Sequence, residues 1–168
     1  GACAPALSSV AIMTIDAPTV AGSVSGTTSV CTGANSGVMT STGRTGSILK
    51  WQFSTDGGAT WTDIANVTGS QAYLNLVTTT RYRVQVQNGS CSVLFSSVAI
   101  ITVTPLTVGG TVSGGTTVCS GSNSGILTLT GQTGSVLSWE YSTNGGGSWT
   151  NIVNFSTTQS YLNLVATR

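Results

Sequence analysis

The chain has 168 residues, of which 5% are charged and none is histidine, and its formal net charge at pH 7 is +1. Charges this few, scattered over residues such as Arg44, Lys50, Arg81, Arg83 and Arg168, exclude the basic footprint that holds nucleic acid or an acidic membrane. Globular domains carry roughly 25% charged residues, so the polar surface here is hydroxyl and amide rather than ionic.

The first segment, "ACAPALSSVAIMTI" (residues 2–15), matches "SCSVLFSSVAIITV" (residues 90–103) at an offset of about 88 residues, a period that marks a repeat array. Residues 1–18 are therefore expected to be the closing strand of a preceding repeat. Residues 19–106 are expected to form a complete immunoglobulin-like β-sandwich, and residues 107–168 a second one that lacks the segment matching residues 82–103 at its C-terminal end. On this reading the chain is a window on a longer array, or a subunit completed by a neighbour.

Within one repeat, two-residue alternation dominates and nothing recurs at helical spacing, so the fold is expected to be all-β. A first strand is expected at residues 19–25, followed by a loop carrying Cys31. A second covers residues 37–42, and its copy "GILTLTG" carries Leu127 and Leu129 on one face. In the third, Leu49, Trp51 and Phe53 alternate with Lys50 and Gln52, as Leu137, Trp139 and Tyr141 do with Ser138 and Glu140. Trp51 and Trp139 are accordingly expected in the core. Further on, Leu74 and Leu76 are expected to point inward. Tyr82, Val84 and Val86 then line one face of a strand whose other face carries Arg81, Arg83, Gln85 and Gln87. Tyr82 opens that strand where the tyrosine corner of sandwich domains stands. "NGSC" (residues 88–91) makes the last hairpin turn, and residues 96–103 close a domain of about seven strands.

Between the third and fourth strands lies "STDGGATW", Ser54 to Trp61, which fits S-x-D-x-G-x-T-W through Ser54, Asp56, Gly58, Thr60 and Trp61. The pattern resembles the Asp box of sialidase propellers. Its copy carries Ser142, Asn144, Gly146, Ser148 and Trp149. Glycoside hydrolysis needs two carboxylates or a tyrosine nucleophile with its base, and a copy with Asn144 in place of Asp56 has lost the charge that such chemistry uses. The motif is read as a hairpin staple, its glycines permitting positive φ and its side chains bonding the turn backbone. With no histidine, no G-x-S-x-G and no glycine-rich loop leading into a helix, no catalytic, cofactor or metal residue is assigned.

The four cysteines, in small Gly-rich β units without C-x-x-C spacing, favour an oxidising compartment over zinc. Cys31 and Cys91 are expected to form a disulfide clamping two loops at one end of the complete repeat. Cys3 and Cys119 lack partners within their repeats and are expected to pair between repeats or between chains. Trp61, Trp149, Tyr73 and Tyr161 are the aromatics available to stack on a sugar.

The phrases "TVGGTVSGGTTVCSGSNSGILTLTGQTGSV", "W-x-x-S-T-D/N-G-G", "YLNLV-x-x-T-x-YR-V-x-V" and "NGSCS" together resemble the immunoglobulin-like repeats of very large cell-surface adhesins of Bacteroidetes, including gliding-motility adhesins exported by the type IX secretion system. The resemblance implies a secreted, non-catalytic stalk, fibre or filament of tandem sandwiches whose partners are neighbouring repeats or identical subunits, end to end. It carries no ligand and no cofactor with it. The alternatives are a carbohydrate-binding module facing surface polysaccharide and a subunit that polymerises by strand addition.

Overall fold

The computed structural model describes residues 1–168 and contains strands and turns without a helix, so no helix is long and apolar enough to cross a membrane. The chain divides into two compact units, Gly1–Thr104 and Pro105–Arg168.

The first unit is a sandwich of two sheets. One orders β1 (Ser23–Ser25), β3 (Ser36–Thr42) and β6 (Ser70–Leu74), all antiparallel. The other orders β2 (Thr28–Cys31), β9 (Ala99–Thr104), β7 (Thr80–Gln87), β4 (Ser47–Ser54) and β5 (Thr62–Ile64), with β8 (Leu94–Phe95) also on β7. All its pairs are antiparallel except β2 with β9. Val24, Met39 and Tyr73 from the first sheet meet Ile48, Trp51, Tyr82, Val84, Val86, Ala99 and Ile101 from the second, and these residues form the core. Burial of this apolar surface is the main force holding the sheets together.

Alternation sets β7 as expected, with Tyr82, Val84 and Val86 buried and the intervening residues half-buried. Elsewhere local irregularities shift the faces. The register of β4 against β7 slips between Ile48 and Lys50, so Ile48 enters the core and Leu49 stays exposed, contrary to expectation. An extra residue of this kind re-aims every side chain on its far side. In β6 the inward residue is Tyr73 rather than Leu74, and Leu76 is only partly buried beyond a turn at Asn75, whose φ is 52°. Tyr73 lies opposite Gly37 in the ladder, and its ring occupies the space that a Cβ there would fill. That ring is thus committed to the core and is not a sugar-facing surface.

A second irregularity lies between β8 and β9. Ser96 is buried beside β7, donates its backbone N–H to the Val84 carbonyl (3.0 Å), and accepts the Val84 N–H on its hydroxyl (3.0 Å). A side-chain oxygen thus replaces the ladder carbonyl that the break removes, and the Val84 amide stays paired. Tyr82 is buried, but its hydroxyl makes no hydrogen bond. The corner before it is closed instead by Thr80, which bonds the Thr78 carbonyl (2.8 Å), and Thr79, which accepts the Val103 N–H (3.0 Å).

The second unit repeats part of this plan. β10 (Thr111–Ser113), β11 (Ser124–Thr130) and β14 (Thr158–Leu162) form one sheet, and β12 (Trp139–Tyr141) pairs with β13 (Thr150–Ile152). Apart from Arg168, which matches Thr80 at the start of β7, no residue of the unit corresponds to β7 or β9. Correspondingly, the segment matching β2 is not a strand, and β12 has 3 residues where β4 has 8. Residues 1–19 likewise contain no strand, although residues 2–15 carry the sequence pattern of β8 and β9. Strand conformation in these segments follows from the neighbour each pairs with and not from the local pattern alone.

Candidate functional site

The β4–β5 hairpin is where the sequence concentrates its most specific motif, and its hydrogen bonds form a closed set. Ser54 donates to Asp56 Oδ1 (2.7 Å) and accepts the Gly58 N–H (2.8 Å). Asp56 in turn accepts the Thr60 N–H (2.9 and 3.0 Å) and the Thr60 hydroxyl. The Trp61 indole closes the loop by donating to the Gly58 carbonyl (3.0 Å). Gly57 and Gly58 hold φ of 79° and 98°, a region L side chains rarely adopt. In the second unit, Ser142 donates to Asn144 Oδ1 (2.8 Å), Gly146 N–H reaches Ser142 (2.8 Å) and Ser148 N–H reaches Asn144 (2.9 Å). An amide thus does the same work as the carboxylate.

The Thr60 hydroxyl and N–H, and then the Ser54 hydroxyl, hold the Asp56 carboxyl far below the usual carboxylate range. Because the folded value is depressed, the stabilisation is present above the unfolded value of about 3.9 and is lost as pH falls below it. Asp56→Asn is therefore expected to leave the hairpin intact at pH 7 and to reduce the acid sensitivity of unit 1. Thermal melts between about pH 2 and 7 would check this, and an Asp56→Asn curve parallel to that of the parent would sink it.

Beside the hairpin, the outer face of the second sheet carries a ladder that the sequence reading missed. The Arg83 guanidinium lies 3.9 Å from the centre of the Trp61 ring and 4.0 Å from that of Phe95, stacked on both. Its Nε donates to Gln52 Oε1 (2.9 Å), Gln52 Nε2 donates to Asp63 Oδ1 (2.7 Å), and Lys50 pairs with Asp63 (2.6 Å). Gln52 and Lys50 draw the Asp63 carboxyl down, while burial lowers Arg83. The alternation of Lys50 and Gln52 with the apolar positions of β4, and of Arg83 with those of β7, was the signal that could have found it. Trp61, a candidate sugar platform, is therefore engaged by Gly58 at its nitrogen and by Arg83 at its face. Trp149 has no guanidinium against it and is 61% exposed.

The three aspartates of the first unit do not converge. Asp16 accepts from Ser90, Asp56 serves its own hairpin and Asp63 the ladder. In the second unit a groove of about 740 Å³ opens between the sheets, lined by Trp139, Tyr141, Trp149, Tyr161 and Leu127 among others. Trp139 remains buried, its indole donating to the Ser156 carbonyl (2.9 Å), as Trp51 does to Thr68 (2.9 Å). Tyr161 lies over Gly125 as Tyr73 lies over Gly37. In the first unit Trp51 and Tyr73, the counterparts of Trp139 and Tyr161, lie in one core cluster with residues of β7 and β9.

All four cysteines are free thiols, which corrects the expected Cys31–Cys91 disulfide. Cys31 ends β2 opposite Thr104, the last residue of β9, whereas Cys91 stands before β8, beyond the other end of β9. At about 3.3 Å per residue the two lie some 30 Å apart along the sheet, far outside bridging range. The parallel pairing of β2 with β9, invisible when residues 26–35 are read as a loop, is the reason. Cys3 and Cys119 are exposed and free as well.

Residues 20–105 and 108–168 each match one family model, described as Domain of unknown function (DUF8696). The chain belongs to this family. No curated protein matches it. Among solved structures it is similar to the crystal structure of chicken CNTN1 FN1–FN3 domains, at 19% identity and a TM-score of 0.32, over 89% of this chain. The chain spans 56% of that one.

Proposed function

We propose that this DUF8696 chain is a non-catalytic structural segment of an extracellular stalk or fibre, of the kind that carries bacterial surface adhesins, and that its partners are neighbouring repeats. The observation that carries this reading is polar connectivity in the first unit. The chain enters beside the β7–β8 turn, where Asn88 bonds Ala17 and Thr19. It leaves at Thr104, beside Cys31 and Thr32 at the opposite end. A module entered at one pole and left at the other extends an array with each copy. The separate engagement of Asp16, Asp56 and Asp63 favours the same conclusion, because no pair among them is left to act as acid and base. Hydroxyl- and amide-rich surfaces with few charges suit a nearly neutral fibre.

An antibody raised against the 168-residue chain tests this on the cells that make the protein. The antigen is expected on intact cells, in a species far larger than 16.9 kDa whether or not reductant is added. A ladder collapsing on reduction to a band of that mass would instead show subunits joined covalently, the strand-addition reading. The exposed ring of Trp149 keeps a carbohydrate-binding module as the second reading. Its test is tryptophan fluorescence against a polysaccharide panel, where a saturable shift lost in Trp149→Ala would replace the stalk.

A further inference from the structure

The cysteines that fail to pair within a repeat occupy complementary places at its two poles. At the exit, Cys31 is the ladder partner of Thr104, and Thr32 N–H donates to the Thr104 carbonyl (2.8 Å). At the entry, Cys91 Sγ lies 3.3 Å from the carbonyl oxygen of Ala17 and 3.9 Å from that of Asp16. The repeat offset makes Asp16–Ala17 and Thr104–Pro105 the same junction, one repeat apart. The first unit therefore displays both sides of one junction: at Thr104 the thiol that the preceding repeat contributes, and at Asp16–Ala17 the thiol that the following repeat contributes. Wherever two complete repeats succeed one another, both thiols flank the same two residues. Parallel strand neighbours stand about 4.8 Å apart, so Cys31 sits one strand spacing from Thr104, whose counterpart Asp16, with Ala17, meets the other thiol. Both thiol types recur, as Cys3 and Cys119, at the same offset.

We infer that the cysteines form rivets between successive repeats, the Cys31-type thiol of one bonded to the Cys91-type thiol of the next across the junction. The inference rests on the stalk reading and specifies how its joints are locked. Each of the four cysteines here belongs to a different junction, so no two of them are expected to bond to one another. The bond forms by exchange with an existing disulfide, such as oxidised glutathione or an oxidised dithiol enzyme. Two thiols lose two protons and two electrons to give one S–S bond, and the donor disulfide is reduced to two thiols.

The full chain, extended after Arg168 by a copy of residues 81–104, supplies one missing thiol, because Arg168 stands where Thr80 does in the first repeat. After oxidised glutathione, a non-reduced chymotryptic digest is expected to show Cys31 joined to the added cysteine, with Cys3, Cys91 and Cys119 alkylated. An added cysteine joined to Cys119, or left free beside an alkylated Cys31, overturns the rivet. Should the extension misfold, the 168-residue chain serves. Thr104→Cys is expected to capture Cys31, and Asp16→Cys to capture Cys91, since both replace the same junction residue. Failure of either bridge would remove the basis of the proposal. A negative result leaves the stalk reading intact, since that depends on surface exposure and mass, neither of which needs the bond.

Discussion

Replacing Trp51 with alanine is expected to destabilise the first unit by about 3–5 kcal/mol, the range for deleting a fully buried large aromatic. The side chain is 0% exposed and lies in the same cluster as Met39, Val84 and Ile101. Its indole also donates to the Thr68 carbonyl (2.9 Å), which ties the β5–β6 connection to the core. The change therefore removes packing and leaves a carbonyl without its partner. Trp51→Phe, which keeps most of the volume but not the donor, is expected to cost less, about 1–3 kcal/mol. Native-state hydrogen exchange at the Val84 and Val86 amides measures the loss. Protection unchanged in Trp51→Ala would show that these strands do not depend on the cluster.

Asn35→Ala is the second large effect. Its Nδ2 donates to the carbonyls of Cys31 (2.8 Å) and Leu76 (2.7 Å), its Oδ1 accepts the Leu76 N–H (2.9 Å), and its own carbonyl accepts the Asn75 N–H (2.7 Å). One amide thus joins the end of β2 to the turn after β6, where Asn75 holds its positive φ. Asn123 makes the same bonds to Cys119 and Leu164 in the second unit. Three side-chain bonds at about 0.5–1.5 kcal/mol each point to a loss of about 2–3 kcal/mol. In a domain of this size that lowers the melting temperature by roughly 8 °C or more. Asn35→Asp keeps the acceptor but loses both donors, and it is expected to fall nearly as far. A melting temperature within a degree or two of the parent in both variants would show the junction to be held by other groups.

Some of this was legible from the residues and some was not. Tyr82, Val84 and Val86 were placed correctly because β7 is flanked on both sides and regular, so period-two alternation maps onto burial without interruption. The aromatic of β4 was legible for the same reason, and its copy at Trp139 followed. Leu49 and Leu74 were misplaced because a bulge and a one-residue offset reverse the faces, and neither leaves a mark in composition. The Arg83 ladder went unseen because it is assembled from β4, β5, β7 and β8, four segments whose adjacency the chain order does not announce.

The sequence by itself determined the all-β class, the repeat and its offset, the buried tryptophans and the hydrogen-bonding residues of the hairpin, because each is encoded within a few residues or in a periodicity along the chain. Only the tertiary structure decided where the cysteines stand. Thr28–Cys31 is a strand because β9 lies alongside it, and that parallel pairing carries Cys31 to the chain's exit while Cys91 remains at its entry. A contact between segments some 70 residues apart has no local signature, so the disulfide expected within a repeat gave way to two thiols at opposite poles.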